Sequence, residues 1–257
     1  APLREAARLY DLAERKAAGT CVETTFREYV ERRTHHEPLA YIAGEGEFMG
    51  QMFQVADGAK RVLIPREDTE VLVQTAAQGA LEDMGAMSAR DMYSIVELGC
   101  GSGAILLSLL RQLQKQHAAV RGLGIDCSQD AVELSRMNAG TFLWERDARR
   151  PEVEFRLGDW LKLVDMSVVN MIISNPPYIS QQEFNALDSS VKEFEPAGAL
   201  LADGEGLQHY KTIARQVEEL ANPCRFRRLV VEVGHKQAED VATVFRGAFK
   251  RLSIADV

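Results

Sequence analysis

The sequence predicts an α/β protein built on one doubly wound parallel sheet. Three observations predict it. From about residue 93, short Val/Ile-rich runs alternate with stretches of helical periodicity, the β-α-β-α order that gives parallel strands with helices on both faces. The first of these runs ends in a glycine-rich turn, "VELGCGSGAI", and the fourth in a two-proline corner, "IISNPPYIS"; ligands of such sheets bind beyond the carboxyl ends of the strands, near the switch point. The 257 residues, 46% hydrophobic and 26% charged, suffice for one large domain and a small extra unit.

Residues 1–37 are the first segment. They carry seven basic and seven acidic side chains. Ala6, Leu9, Leu12 and Ala13 make a narrow apolar stripe at helical spacing, and Val22, Phe26, Tyr29 and Val30 make a second. A piece this small lacks a core of its own, so it is expected to be a helical appendage, packed on the larger domain or on a partner. Residues 38–64 change character. Gly44, Gly46 and Gly50 interrupt the apolar runs of "PLAYIAGEGEFMGQMFQV", which predicts a β-hairpin or irregular connector.

The main domain takes residues 65–257. Pro65 stops the run "VLI", and Asp68 or Thr69 is placed to cap a helix running through Val71, Leu72 and Val73. Strands are predicted at 93–98, 120–125, 153–157, 168–174 and 229–233, with a sixth beginning in 252–257. Helices are predicted over 104–116 and from an N-cap at Ser128 through Met137. Two more follow the faces Leu207, Tyr210, Ile213, Ala214, Val217, Leu220 and Val241, Val244, Phe245, Ala248.

Bulk properties remove several classes of function. A net charge of −8 supplies no basic footprint for duplex DNA and weighs against nucleic acid as a direct substrate. Cys21, Cys100, Cys127 and Cys224 form no C-x-x-C pair, so neither a zinc cluster nor a redox motif is expected. The five histidines include no H-E-x-x-H, and no metal is expected. No apolar run approaches the ~18 residues of a membrane span. The opening stretch "APLREAARLYDLAERK" mixes Arg with Asp and Glu and resembles neither a signal nor a transit peptide. The expectation is a monomeric intracellular protein of the cytoplasm or the mitochondrial matrix.

The glycine turn reads as a nucleotide site. Gly99, Gly101 and Gly103, with Cys100 and Ser102 between them, allow tight backbone turns and close approach of a ligand. The next strand ends in Asp126, whose carboxylate suits both ribose hydroxyls. The bland alternative is a glycine-rich turn without a ligand. Gly99-x-Gly101-x-x-Ala104 also fits the relaxed dinucleotide pattern, so a nicotinamide dehydrogenase competes. Glu97 leans the other way: an acid there repels a pyrophosphate and suits the cationic amino-acid end of S-adenosylmethionine. Asp159 and Trp160, after the third strand, are placed to meet the adenine amine and to cover its ring. Trp160 reads equally well as a core or rim aromatic.

The corner Asn175-Pro176-Pro177-Tyr178 resembles the signature of methyltransferases that alkylate a planar –NH₂ group, either adenine N6 or the glutamine side-chain amide. That nitrogen is a poor nucleophile because its lone pair is delocalised, as the ~18–20 kcal/mol rotation barrier of the related peptide bond shows. A site helps by accepting hydrogen bonds from both N–H groups. The Asn175 side-chain oxygen and the Pro176 carbonyl are the natural acceptors, and proline rigidity fixes them before substrate arrives. Tyr178 is suited to lie against the planar group and exclude water. The bland alternative is a proline-rich turn closing a strand.

Beyond the corner, the chain resembles the HemK-like protein-(glutamine-N5) methyltransferases that modify peptide-chain release factors. The resemblance runs from about Pro38 to Val244. It rests on "PLAYIAGEGEF", "LIPREDTEVLV", "ELGCGSGAI", "GID" with "DAVELSRMNA", "GDW", "SNPPYI", "EFEPAGALLADGEGL" and "VVEVGH". "IPREDTE" and "FEPAGAL" matter most, because adenine methyltransferases sharing the corner do not usually carry them in this order. The resemblance implies a Rossmann-like class I methyltransferase sheet. It also implies an S-adenosylmethionine site at Gly99, Gly101, Gly103, Asp126 and Trp160, with Asn175 touching both ligands. Asn175, Pro176, Pro177 and Tyr178 would hold a glutamine in the Gly-Gly-Gln tip of a release factor, giving N5-methylglutamine. Arg66 and Glu195 lie in family stretches; a structural ion pair or cap is their preferred reading. Two departures are visible. About 37 residues precede the hairpin, where family members carry a longer helical domain that helps recognise the release factor. The chain also stops at "RLSIADV", before a stretch with Asp, Gly and Arg that completes the family's last strands. Adenine-N6 methylation of RNA or DNA is the second reading. A dehydrogenase leaves the corner unexplained. An inactive, partner-binding scaffold sits badly with intact motif positions.

Overall fold

The computed structural model describes residues 2–17, 19–88, 91–116, 118–146, 149–220 and 225–249. The chain opens with α1 (Pro2–Lys16), α2 (Val22–Thr34) and α3 (Leu39–Ala43), then β1 (Glu45–Phe48), β2 (Gln51–Gln54), β3 (Ala56–Asp57) and β4 (Lys60–Arg61). It continues through α4 (Glu70–Gly85), β5 (Tyr93–Leu98), α5 (Ala104–Lys115), β6 (Val120–Asp126), α6 (Gln129–Thr141), β7 (Glu152–Leu157) and β8 (Met171–Ser174). After β8 come α7 (Gln181–Asn185), α8 (Ser189–Lys192), α9 (Gln208–Leu220), β9 (Arg228–Val231) and α10 (Ala238–Ala248).

The five long strands make one parallel sheet in the order β7-β6-β5-β8-β9. The order reverses between β5 and β8, which is the switch point of a doubly wound sheet. All six residues of β5 and all four of β8 are buried, as expected of central strands covered on both faces. Side chains alternate between two cores. Tyr93, Ile95, Met171 and Ile173 pack with α4 and α5, whereas Val96, Leu98 and Ile172 pack with α9 and α10.

Two predicted strands are shorter than expected. The fourth begins at Met171, just after Asn170, whose N–H donates to the Ser94 carbonyl and whose Oδ1 accepts from the Ser94 N–H, each at 2.9 Å. The fifth ends at Val231. The sixth, at 252–257, lies outside the described residues, as does Cys224.

The connector holds the expected hairpin, β1–β2, and two features that were not predicted, the short antiparallel pair β3–β4 and the single-turn helix α3. Gly44 ends that helix in the left-handed region at φ 77°. The β1–β2 turn is the pair Met49 (φ 49°) and Gly50 (φ 70°), the doubly positive geometry that suits the twist of a two-residue hairpin. Phe48 and Phe53 sink into the core under α4 and α5. The appendage packs through its two stripes: Leu9, Leu12, Ala13 and Tyr29 meet Ile42 of α3. Glu37 accepts from Arg32 at 2.8 Å and from Arg61 at 2.8 Å, tying α2 to β4.

Asn138 of α6 joins the hairpin to the glycine turn. Its Oδ1 accepts from Gln54 N–H at 2.8 Å, and its Nδ2 donates to the Gln54 and Ser102 carbonyls at 3.0 and 2.8 Å. The residue is 3% exposed, so removing the amide leaves buried backbone groups unpaired. Asn138→Ala is expected to cost about 2–3 kcal/mol of unfolding free energy in urea titration.

Candidate functional site

The glycine turn is sewn to the end of β6. Gly99 and Cys100 N–H both donate to the Ile125 carbonyl, at 2.8 and 3.1 Å. Gly101 N–H donates to Asp126 Oδ2 at 2.9 Å, and Ser128 N–H to Oδ1 at 2.9 Å. The carboxylate is thus held at the strand end by two backbone donors, with lone pairs left over. Gly103 starts α5 at φ 78°, where a Cβ would lie 2.9 Å from the Phe155 ring. Gly99 is exposed and Gly101 half-exposed, while Cys100 and Ser102 are buried. Only the glycine backbone faces out; the Cys100 thiol points into the core, and burial pushes its pKa well up.

Glu97 sits lower than the sequence suggests. It is fully buried on the α5 side of the sheet, and its Oε2 accepts from Leu106 N–H at 3.2 Å. Oε1 is buried without a partner among the described residues. Burial, with the Asp126 charge nearby, pushes the carboxyl pKa well above the usual range. An orphaned buried acceptor of this kind fits a cationic group, which would lower that pKa again. Asp159 is an exposed side chain paired with Lys162 at 2.5 Å. Trp160 adopts φ 52° and lies against His209, ring centroids 5.2 Å apart. The indole is a rim aromatic of the second core, with the sheet's carboxyl edge beside it.

The proline corner stands next to the glycine turn. Leu98 and Ser174 are register partners, and Ser174 Oγ donates to the Leu98 carbonyl at 2.7 Å. The Asn175 carbonyl oxygen is 4.0 Å from where a Gly99 Cβ would lie. Pro176 is buried; Asn175, Pro177 and Tyr178 are half-buried. The chain beyond the corner is pinned to "FEPAGALL": Ile179 N–H donates to the Leu200 carbonyl and Ala202 N–H to the Ile179 carbonyl, each at 2.9 Å. Gln237 Nε2 donates to the Tyr178 carbonyl at 3.2 Å. Gly206 and Gly234 make room for this contact, since a Cβ on either would overlap Tyr178 and Gln237.

Two site residues escaped the sequence reading. Neither Asp68 nor Thr69 caps α4 with its side chain. Thr69 Oγ1 instead accepts from Asn175 Nδ2 at 3.3 Å. Glu232, just past β9, lies near the same two side chains; burial raises its carboxyl pKa, and Thr69 and Asn175 oppose the rise. Their stretches, "IPREDTE" and "VVEVGH", were visible, but nothing local showed that distant Thr69 and Glu232 meet at Asn175. Arg66 and Glu195 pair with each other, Arg66 Nη2 donating to Glu195 Oε1, as the structural reading of both expected. Among the described residues no group of three or more His, Cys, Asp or Glu could hold a metal ion. No helix among them is long and apolar enough to cross a membrane.

Two stability effects follow. Glu97→Gln keeps an acceptor for Leu106 N–H and removes a buried acid. A buried carboxyl with a raised pKa loses native stability as pH rises from its unfolded pKa toward its folded one. The variant's melting-temperature advantage over the unliganded wild type should therefore grow as pH rises above 4.5, the ordinary value. Gly206→Ala, at φ 84° and against the Tyr178 carbonyl, should cost about 1–3 kcal/mol in denaturant titration.

Residues 76–220 match the family described as the methyltransferase small domain. The release factor glutamine methyltransferase of Geobacter sulfurreducens is 36% identical over 230 residues, an alignment covering 90% of this chain and 71% of that protein. A bifunctional methyltransferase of Rickettsia felis is 36% identical over 241 residues. There the match takes 86% of this chain and 43% of the relative, so the chain spans under half of that longer protein. Among solved structures, the hMettl16 catalytic domain in complex with a MAT2A 3′UTR hairpin superposes with a TM-score of 0.52 at 14% identity, covering 76% of this chain and 66% of that one. That likeness is one of fold, the class I methyltransferase sheet. By its family match and by relatives spanning most of its length, the chain belongs to the release factor glutamine methyltransferases, a family of S-adenosylmethionine-dependent enzymes.

Proposed function

We propose that the chain transfers a methyl group from S-adenosylmethionine to the side-chain amide nitrogen (N5) of a glutamine, in the Gly-Gly-Gln tip of a peptide-chain release factor. One observation carries the proposal: the Asn175 amide is held at its nitrogen end by Thr69, while Oδ1 has no partner among the described residues. An acceptor is therefore kept free at the switch point, beside the glycine turn. The names of the relatives support the choice of a glutamine in a release factor.

Bound S-adenosylmethionine supplies an electrophilic sulfonium methyl. Asp126 would take the ribose hydroxyls, Glu97 the cationic amino-acid end and Trp160 a face of the adenine. Asn175 Oδ1 and the Pro176 carbonyl accept the two N–H bonds of the substrate amide and hold its nitrogen in position. Each neutral hydrogen bond contributes only ~1 kcal/mol net, so orientation outweighs bond strength. Consecutive prolines fix φ at both positions, and the Ile179–Leu200 and Gln237–Tyr178 bonds stop the corner from relaxing. The half-buried Tyr178 ring narrows the water-accessible side. No strong base is required, because the nitrogen becomes acidic once alkylated. A release-factor substrate requires a compartment where translation ends, the cytoplasm or the mitochondrial matrix.

The test is label transfer from methyl-labelled S-adenosylmethionine to release factor, to its tip Gln→Ala variant, and separately to RNA and DNA. Label on wild-type release factor alone is the expected result; label on nucleic acid alone would establish adenine-N6 methylation instead. Asn175→Ala should lower kcat about a hundredfold or more and leave the dissociation constant for S-adenosylmethionine, by calorimetry, within about threefold.

A further inference from the structure

The turn after β7 holds a backbone outlier. Trp160 has φ 52°, in the left-handed region where L side chains are uncommon and bulky ones most of all. Such an outlier persists only where its surroundings over-determine it. On the near side, Gly158 N–H donates to the Asp126 carbonyl at 2.9 Å, which ties the turn to the residue assigned to the ribose. On the far side, Leu161 sinks fully into the second core, and its N–H donates to Gln216 Oε1 at 2.8 Å. A buried N–H needs such a partner, and Gln216, 5% exposed, is itself a buried polar side chain. With both ends fixed, the chain reverses at Trp160 and leaves the indole half-buried at the rim. The ring leans on His209, centroids 5.2 Å apart and planes tilted by 45°. His209 and Gln216 both belong to α9. Seven residues apart, about two helical turns, they lie on one face, beside the line Tyr210, Ile213, Ala214 and Val217 that packs into the core.

Chain reversal alone does not ask for a tryptophan, since glycine or asparagine takes a left-handed position with less strain. A pinned aromatic ring, braced on one side, suits a planar group stacking on the other. Resting on the reading of Trp160 as the adenine wall, we propose that Gln216 and His209 of α9 are positioning residues for the methyl donor. Gln216 fixes the turn that carries Trp160, His209 braces the indole, and the ring's remaining face receives the adenine. Ribose and adenine are then served by one frame, because the same turn starts from the Asp126 carbonyl. Loss of either brace frees the indole and leaves Glu97, at the amino-acid end, untouched. S-Adenosylmethionine and S-adenosylhomocysteine share the adenosine and differ at sulfur, so both should lose affinity equally.

The experiment takes two readouts. Calorimetry gives the dissociation constants of both ligands with no methyl acceptor present, so the result does not depend on which nitrogen is methylated. Acrylamide quenching of Trp160 fluorescence is followed in a Trp144→Phe background, which removes the chain's other tryptophan. Trp160→Ala is expected to weaken both ligands on the order of thirtyfold. Gln216→Met, which keeps the length and removes the acceptor, and His209→Ala should each weaken both ligands about fivefold or more and raise the quenching. Gln216→Glu, which keeps an acceptor, and His209→Phe, which keeps a ring, should recover most of both effects. Wild-type affinity in Trp160→Ala would refute the adenine reading and the inference with it. A loss in Trp160→Ala beside wild-type affinity in Gln216→Met and His209→Ala would leave that reading standing and overturn the inference. Weaker binding without a change in quenching would overturn it too. Should Gln216→Met fail to fold, His209→Ala and His209→Phe decide by the same two readouts.

Discussion

The site depends on the parallel ladder between β5 and β8. Ile95 through Leu98 pair with Met171 through Ser174, so both strands stop at the same level and release their turns at one edge. The Ser174 hydroxyl locks that level by donating to the Leu98 carbonyl at 2.7 Å. A two-residue change of register, ~7 Å along a strand, would carry the corner away from the glycine turn. Complete burial of both strands opposes such a slip, because every side chain is fitted to one of two cores. The catalytic geometry proposed above is thus inherited from hydrophobic packing well below it.

The same edge concentrates acid. Glu97 is fully buried, Asp126 and Glu232 partly so, and all three have pKa values raised by burial. Folding alone gives no reason to bury carboxyls with unpaired oxygens, since such groups destabilise the native state. The arrangement becomes intelligible with a cationic methyl donor and an N–H-bearing substrate, each supplying the donors that the protein lacks. A pyrophosphate would find repulsion at the same place, which disfavours a dinucleotide although Gly99-x-Gly101-x-x-Ala104 fits its pattern.

Legibility in the sequence followed physical range. The succession of strands and helices along the chain, the glycine turn, Asp126 and the corner were readable because each is a local pattern: apolar runs, positive-φ positions and paired prolines. The Ser128 cap was readable for the same reason and is observed, its side chain accepting from Ala131 N–H. What was missed is non-local. Thr69 looked like a cap because hydroxyl residues before a helix usually are; a partner 106 residues away took its side chain instead. For Glu97 the cofactor-facing reading stands as proposed, and only its depth was not visible from its place before the glycines. Strand parity puts it with Tyr93 and Ile95, on the α5 side and beneath the turn. α3 escaped because a five-residue helix bounded by Pro38 and Gly44 has too little periodicity to declare itself.

A corner proposed to accept two N–H bonds does not by itself tell glutamine from adenine, so selectivity must come from what surrounds it. The surroundings here are joined to the appendage. Glu37, at the end of the first segment, pairs with Arg61; Arg61 lies over the Tyr41 and Phe194 rings, at 5.0 and 5.7 Å from their centroids. Next to Phe194, Glu195 is buried against Arg66. From there the chain runs directly into the Leu200–Ala202 stretch that pins Ile179. These contacts are continuous, and their ion pairs are anchored by Glu37 and Glu195, both 5% exposed. Removing one partner would leave an uncompensated buried charge. The appendage and the support of the proline corner are therefore joined by one run of contacts.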